Sequence, residues 1–539
     1  MSRAFFIRLC LLCAAMTLPL WGILAVKWPI SSDFICYTTF LRSFSAQFWS
    51  GDAYPRWLIN INNGYGSPVF LFYPPVSFYI ISLFEFLAPL DPYGFGRGLI
   101  GIMLSILVAG VASYRWLRQT LPVETAEKGA LLYAGFPYLL LHMYGGFAVA
   151  QLWGIALLPL LLEAAGDMAK TGWRAMPKMI LTYTLLCCTH LPSSVIFVAV
   201  PCLYVPVFAT NRRLLKALLA GISALLGIAL AGIYLFPAIY NKPYITTEHL
   251  LDGNLVYANN FLDTYSQLGL LCMVLPLIVL YCELPRYSRR AALTKPVRFW
   301  IAVLALFLFM ALPLSEPIWA ALPPLQHLQF PFRFILAMLP GSVYIALHFL
   351  PQARSRNVYR MLFVIGLVSA TVYSEEIAFF PHFSPVAAIL EHNLLARPEY
   401  QTRWMEKQNI DFRIAVPETF LDRKPVTFIT GSGAAAITGQ NSRSLWLHAD
   451  IASPEAKITL QRFYFPGWQS TSPGIAVSEY KSLLALTLPE GSHDVRLDVP
   501  WFPGEREGMI ASLAALILLL GIFAFTRLQA PGNSHITEP

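Results

Sequence analysis

The sequence predicts a mainly α-helical polytopic membrane protein, with about twelve transmembrane helices, interfacial helices, and a C-terminal extracytoplasmic β-rich domain. Three observations carry this expectation. Of 539 residues, 56% are hydrophobic and 13% are charged, whereas a soluble domain carries about 25% charge. Apolar stretches of roughly 20 residues, the length a helix needs to cross a bilayer, recur along most of the chain. Between 378 and 507 the pattern changes. Short β-like runs (AKITLQRFYF, LLALTLP, HDVRLDVPWF) alternate there with Gly, Pro and Ser turns, suggesting a small β-sandwich.

Charge placement sets the topology. The net charge is +8, but the basic residues sit in short gaps: Arg115, Arg118 and Lys128; Lys170, Arg174 and Lys178; Arg212, Arg213 and Lys216; Arg286 to Arg298; Arg354, Arg356 and Arg360. The other short gaps are nearly free of Lys and Arg. This is the positive-inside alternation, and it argues against nucleic acid as a partner.

With the N-terminus cytoplasmic, span 1 (5–26) leads to a first external loop, 27–92. Spans follow at 93–115, 126–144 and 150–168. A short hairpin over 176–210 turns near His190–Pro192. Further spans are expected at 214–237, 265–282, 299–313, 332–350 and 358–376. Residues 1–377 thus form the membrane domain and 378–507 the external domain. Residues 508–539 hold the last span and a cytoplasmic tail. Apolar residues at helical spacing over 37–49 predict an interfacial helix lying on the bilayer. The short apolar run 76–89 predicts a second interfacial or re-entrant helix. Eight cysteines follow no zinc or redox spacing and read as small buried hydrophobes.

Polar residues mark the external side. Span centres are almost uncharged, which counts against an ion-coupled transporter. Asp33, Arg56, His142, Gln151, His190, Glu248, His249 and Arg333 all fall on external loops or span ends. The stretch 51–75, GDAYPRWLININNGYGSPVFLFYPP, has no helical or strand period and reads either as a structured loop capping the external face or as one wall of a pocket, with Tyr65 and Tyr73 as candidate substrate-binding residues.

These residues also carry a resemblance. An acid after span 1, GD-YPRW, GYG-P-F-FYPP, FPYLLLHMYGGFAVAQLWGIALLPL (136–160), THLPSS (189–194), LQFPFRF (328–334) and YFPGW (464–468) occur in order. Together they resemble the bacterial 6-pyruvoyl-tetrahydropterin synthase-related membrane domain proteins, which in turn resemble C-type glycosyltransferases. The resemblance covers nearly the whole chain.

It implies an inner-membrane glycosyltransferase with both termini cytoplasmic. A polyprenyl-phosphate sugar would be the donor, and a cell-envelope glycan, lipid or protein the acceptor. Asp33 would be the catalytic base or a ligand of a divalent Mg or Mn ion. Arg56, His190 and Arg333 would bind substrate, and the residues themselves add Tyr65 and Tyr73 of the first loop and the adjacent Glu248 and His249 of a later external loop as substrate-binding candidates. A carboxylate suits deprotonation of a hydroxyl acceptor, and arginines suit a phosphate leaving group. Where the family's hairpin reads Y-x-R-x-x-x-x-E, this chain has Gly146 and Gln151. Two rivals therefore stand beside the transferase: a lipid-linked glycan flippase, and a non-catalytic envelope-assembly protein.

Overall fold

The computed structural model describes residues 1–25, 32–251, 256–262, 293–349, 398–410 and 424–528. The expected spans at 265–282 and 358–376 lie outside these. Helix α1 is Arg3–Ala25 and α2 is Ser32–Trp49; α3 is Val76–Ser82, α4 Phe95–Leu117, α5 Val123–Ala134, α6 Val149–Thr171 and α7 Met176–Cys187. Then come α8 (Leu191–Phe208), α9 (Arg213–Leu230), α10 (Gly232–Asn241), α11 (Lys295–Ala311), α12 (Pro331–His348) and α13 (Glu505–Leu528). Among the described residues, six helical segments are long and apolar enough to cross a membrane. The count is seven if α11 and Pro313–Ala321, bent by 82°, form one span.

The count covers the described residues only and leaves out α1 and the two expected spans outside them; two further features bear on the difference from twelve. Helix α6 runs through a tight turn at Gly172–Ala175 into α7, which folds back along it, Lys178 reaching Glu163 and Asp167 and His190 meeting Gly154, so the one candidate segment Val149–Cys187 holds two helices. The expected span 126–144 is interrupted. Gly135 ends α5, Pro137 offers no N–H to continue it, and Leu141–Gly145 widens into a π-helical turn, a distortion frequent at functional sites.

Helix α2 also departs from expectation. It does not lie on the bilayer with one face out. Of residues 34–49 only Ala46 and Trp49 are exposed. Its polar residues are satisfied inside the protein. Ser45 donates to Glu85, and Gln47 donates to the Trp57 carbonyl at 3.0 Å and accepts from the Ile59 amide at 2.7 Å. Aromatic residues occupy more than one face, so the helix is enclosed. The short α3 does not span, in line with the sequence. Lipid-facing apolar surface is instead carried by α1, α9 and α13, where Leu11, Leu18, Leu214, Leu225, Ile517 and Leu520 are all exposed.

The C-terminal strands β1 (Val426–Thr430), β2 (Gly433–Gln440), β3 (Ser444–Phe463), β4 (Gln469–Ser470), β5 (Ala476–Tyr480) and β6 (Leu483–Asp498) form one antiparallel sheet. Strands β3 and β6 pair from Ser444↔Asp498 to Phe463↔Leu483, with breaks between Ile451 and Glu455 and between Thr459 and Phe463. Long β3 pairs β1 and β2, and β6 pairs β4 and β5. Among the described residues no second sheet covers the buried face, which packs on Trp57, Tyr65, Leu71, Ile245 and Met405.

The first external loop is therefore the seat of the sheet. The Phe463 amide donates to the Tyr65 carbonyl at 2.9 Å, and Gln461 donates to the Asn63 carbonyl at 2.7 Å. Gly66 has φ +81°, and a Cβ there would fall 2.1 Å from the Trp57 indole nitrogen, so only glycine allows the loop to close.

Candidate functional site

Five polar side chains converge where the π-helical turn, the start of α6, the turn before α8 and the start of α12 meet. Nε2 of His142 lies 3.1 Å from Nε2 of Gln151, nine residues on and one side of the Phe147 turn. The His142 ring stands edge-on to Tyr138 at 4.5 Å. His190 precedes α8, and its Nδ1 accepts from the Ser193 amide at 3.3 Å and lies 2.7 Å from Ser193 Oγ. Gly154 on α6 makes this approach possible, because a Cβ there would fall 2.9 Å from His190 Cβ and 2.8 Å from Ser193 Oγ. Arg333 opens α12. It donates to the Leu328 carbonyl at 2.6 Å and lies over the Phe330 ring at 4.5 Å.

The electrostatics tie these groups together. His142 and His190 lie between the candidate spans. Burial, reinforced by the Arg333 charge, pushes His142 down to about 3 and His190 well below the ordinary histidine range. Both imidazoles are neutral at pH 7. The site thus sets one guanidinium against two uncharged rings.

This has a consequence for stability. In the unfolded chain both histidines titrate near about 6.5. Below that pH the unfolded state takes up protons that the folded state refuses, so stability is full above pH 6.5 and falls as pH drops toward 3. The slope is at most about 1.4 kcal/mol per pH unit for each ring. Thermal unfolding in detergent is expected several degrees lower at pH 5 than at pH 7.5. A His142→Gln/His190→Gln protein with the same pH slope as wild type would remove the imidazoles as the cause.

The other sequence-predicted residues have separate surroundings. Arg56 is buried, donates from Nε to Glu505 at 2.8 Å and from Nη2 to the Ile233 carbonyl at 2.8 Å, and lies over the Tyr54 ring at 4.0 Å. Tyr65 packs on Phe463 at 5.3 Å. Tyr73 joins an aromatic group with Phe40, Phe78 and Tyr400. Glu248 pairs with Arg403 at 2.7 Å, and His249 lies 3.5 Å from Glu406, tying 247–251 to 403–406. Of the predicted set, His190 and Arg333 are brought together.

Asp33 occupies the first turn of α2; its side chain is outside the described residues. Its neighbour Phe34 packs on Phe147 at 4.4 Å, edge to face, so this turn abuts the loop between His142 and Gln151. Tyr138 and Ser193 lie inside the motifs FPYLLLHMYGGFAVAQLWGIALLPL and THLPSS without standing out there, whereas His142 and Gln151 stand among the external polar residues. The Gln at the family's Glu position was the available signal. Among the described residues no three His, Cys, Asp or Glu side chains form a metal-ligand set.

Residues 70–378, more than half of the chain, match the family described as "6-pyruvoyl-tetrahydropterin synthase related domain; membrane protein". The chain belongs to this family. No curated protein matches it. The matched region of this 6-pyruvoyl-tetrahydropterin synthase-related protein contains the whole His142–Gln151–His190–Arg333 cluster and excludes Asp33, Arg56 and the sheet.

Proposed function

We propose that this protein is an inner-membrane glycosyltransferase. It takes a sugar from a polyprenyl-phosphate donor and passes it to a cell-envelope glycan, lipid or protein on the external face. The observation that carries the reading is the Arg333 guanidinium set beside two uncharged imidazoles at the first turn of α6. The far end of that helix bears the ion cluster of Glu163 with Arg115 (2.9 Å) and Lys178 (2.7 Å). From Gln151 to Glu163 is twelve residues, about 18 Å of helix. Basic residues mark the cytoplasmic side, which supports the external side for the cluster.

In this mechanism the acceptor hydroxyl attacks the anomeric carbon while Asp33 takes its proton. The bond from that carbon to the phosphate oxygen breaks, and the polyprenyl phosphate leaves with the electron pair. Arg333 neutralises the phosphate charge as it develops. Direct displacement inverts the anomeric centre.

Purified protein offered radiolabelled polyprenyl-phosphate sugars with envelope extract is expected to release polyprenyl phosphate. Arg333→Gln, folded as judged by thermal unfolding, is expected to lose about 10- to 100-fold in kcat/KM, the worth of one charged hydrogen bond. Turnover unchanged in Arg333→Gln would remove the arginine from the phosphate. A second reading, a non-catalytic assembly protein, is favoured by one observation: Arg56 and Tyr65, in the most specific motifs, are spent on seating the sheet. Absence of turnover with every donor would select it.

A further inference from the structure

We infer that His190 serves as a neutral hydrogen-bond donor to a phosphoryl oxygen, and that Ser193 is the positioning residue that holds it in that role. This rests on the proposed donor site and assigns its polarity. The argument starts from an atom that cannot change its part. A backbone amide only donates, and the Ser193 amide points at His190 Nδ1. Nδ1 must therefore present its lone pair, and Ser193 Oγ, 2.7 Å away, donates to the same atom. The hydrogen of the neutral ring is then on Nε2. Among the described residues nothing accepts from Nε2.

The rest of the cluster has the same polarity. With Gln151 Nε2 donating to His142 Nε2, the His142 hydrogen is on Nδ1. Arg333 carries only donors, and its charge acts on both rings. Apart from the Gln151 amide oxygen, the described groups of the site thus present N–H donors. Its complement is an acceptor-only anion, and a phosphoryl group is one. A ring so fixed cannot accept the acceptor's proton at Nε2, which leaves that task to a carboxylate.

The test is binding rather than turnover. Wild type, His190→Ala, His190→Gln, Ser193→Ala and the His190→Gln/Ser193→Ala double variant are placed in nanodiscs. Each is titrated with polyprenyl monophosphate, with polyprenol and with inorganic phosphate, and its unfolding temperature is recorded. Gln presents an amide N–H near the position of Nε2 and does not titrate. His190→Gln is expected within about threefold of wild type, and His190→Ala at least tenfold weaker. Polyprenol is expected at least tenfold weaker than its phosphate.

Ser193→Ala should weaken binding in the histidine background and have no further effect in the glutamine background, a pattern that a purely structural serine would not give. Competition by inorganic phosphate at the lipid's own concentration would support the phosphoryl contact and assign it to a soluble ligand. No competition would assign it to the lipid headgroup. His190→Gln as weak as His190→Ala, or polyprenol bound as well as its phosphate, overturns the inference. The predicted binding pattern without donor turnover would keep the inference and reject the transferase. Turnover by wild type that is equally lost in His190→Gln and His190→Ala would do the reverse.

Discussion

Glu505→Ala is expected to destabilise the protein by about 3–5 kcal/mol and to release the C-terminal sheet from the membrane domain. Glu505, at the start of α13, is 5% exposed. It accepts from Arg56 Nε, from both terminal nitrogens of Arg443 and from the Phe502 amide. Arg56 is 1% exposed and also holds the Ile233 carbonyl on α10. One carboxylate therefore joins the first loop, the sheet and the last helix, with α10 added through the arginine.

Removing the carboxylate leaves a buried guanidinium without its counter-charge, and that penalty sets the magnitude. Glu505→Gln keeps the shape and should fall between wild type and alanine. Replacing Arg56 and Glu505 together by Met should recover part of the loss, because the fully buried guanidinium is removed and only Arg443, whose side chain is 33% exposed to water, loses its partner. Thermal unfolding, with limited proteolysis of the sheet, measures all three. A Glu505→Ala protein with unchanged unfolding and unchanged proteolysis would show that the triad does not hold the domains.

Asp33→Asn is expected to lower donor turnover by about 10²- to 10⁴-fold, the usual loss when a general base is removed, with little change in KM. Its case is chemical and positional. A sugar hydroxyl is a poor nucleophile until its proton is taken. The two described imidazoles of the site have Nδ1 or Nε2 committed to acceptance from Ser193 and Gln151. The Asp33 turn of α2 is fixed against the site by Phe34, whose ring meets Phe95 at 4.5 Å and Phe147 at 4.4 Å. Asn keeps the size and loses the basicity, so unfolding temperature should change little. Turnover by Asp33→Asn equal to wild type would take the carboxylate out of the reaction. Loss of turnover together with loss of folding would call for Asp33→Glu as the discriminating variant.

The sequence by itself determined the class of the molecule. Hydrophobic length and the Lys/Arg alternation are local properties, so the membrane helices, the break before α8 at His190, the non-spanning α3 and the strand-rich end near 426–498 were all legible. His190 and Arg333 stand far apart in the chain, and the fold brings the charge of one to bear on the other.

Only the tertiary structure decided the rest. Whether an amphipathic helix meets lipid or protein depends on what packs over its second face, and Ser45, Gln47 and their partners from 57–59 and Glu85 enclosed α2. Whether an arginine in a first-loop motif meets substrate or holds the fold depends on a partner hundreds of residues away, and Arg56 met Glu505. The irregular, aromatic first loop looked like a pocket wall because nothing local satisfies its backbone. The sheet satisfies it, through Phe463 and Gln461, across a separation that no local pattern encodes.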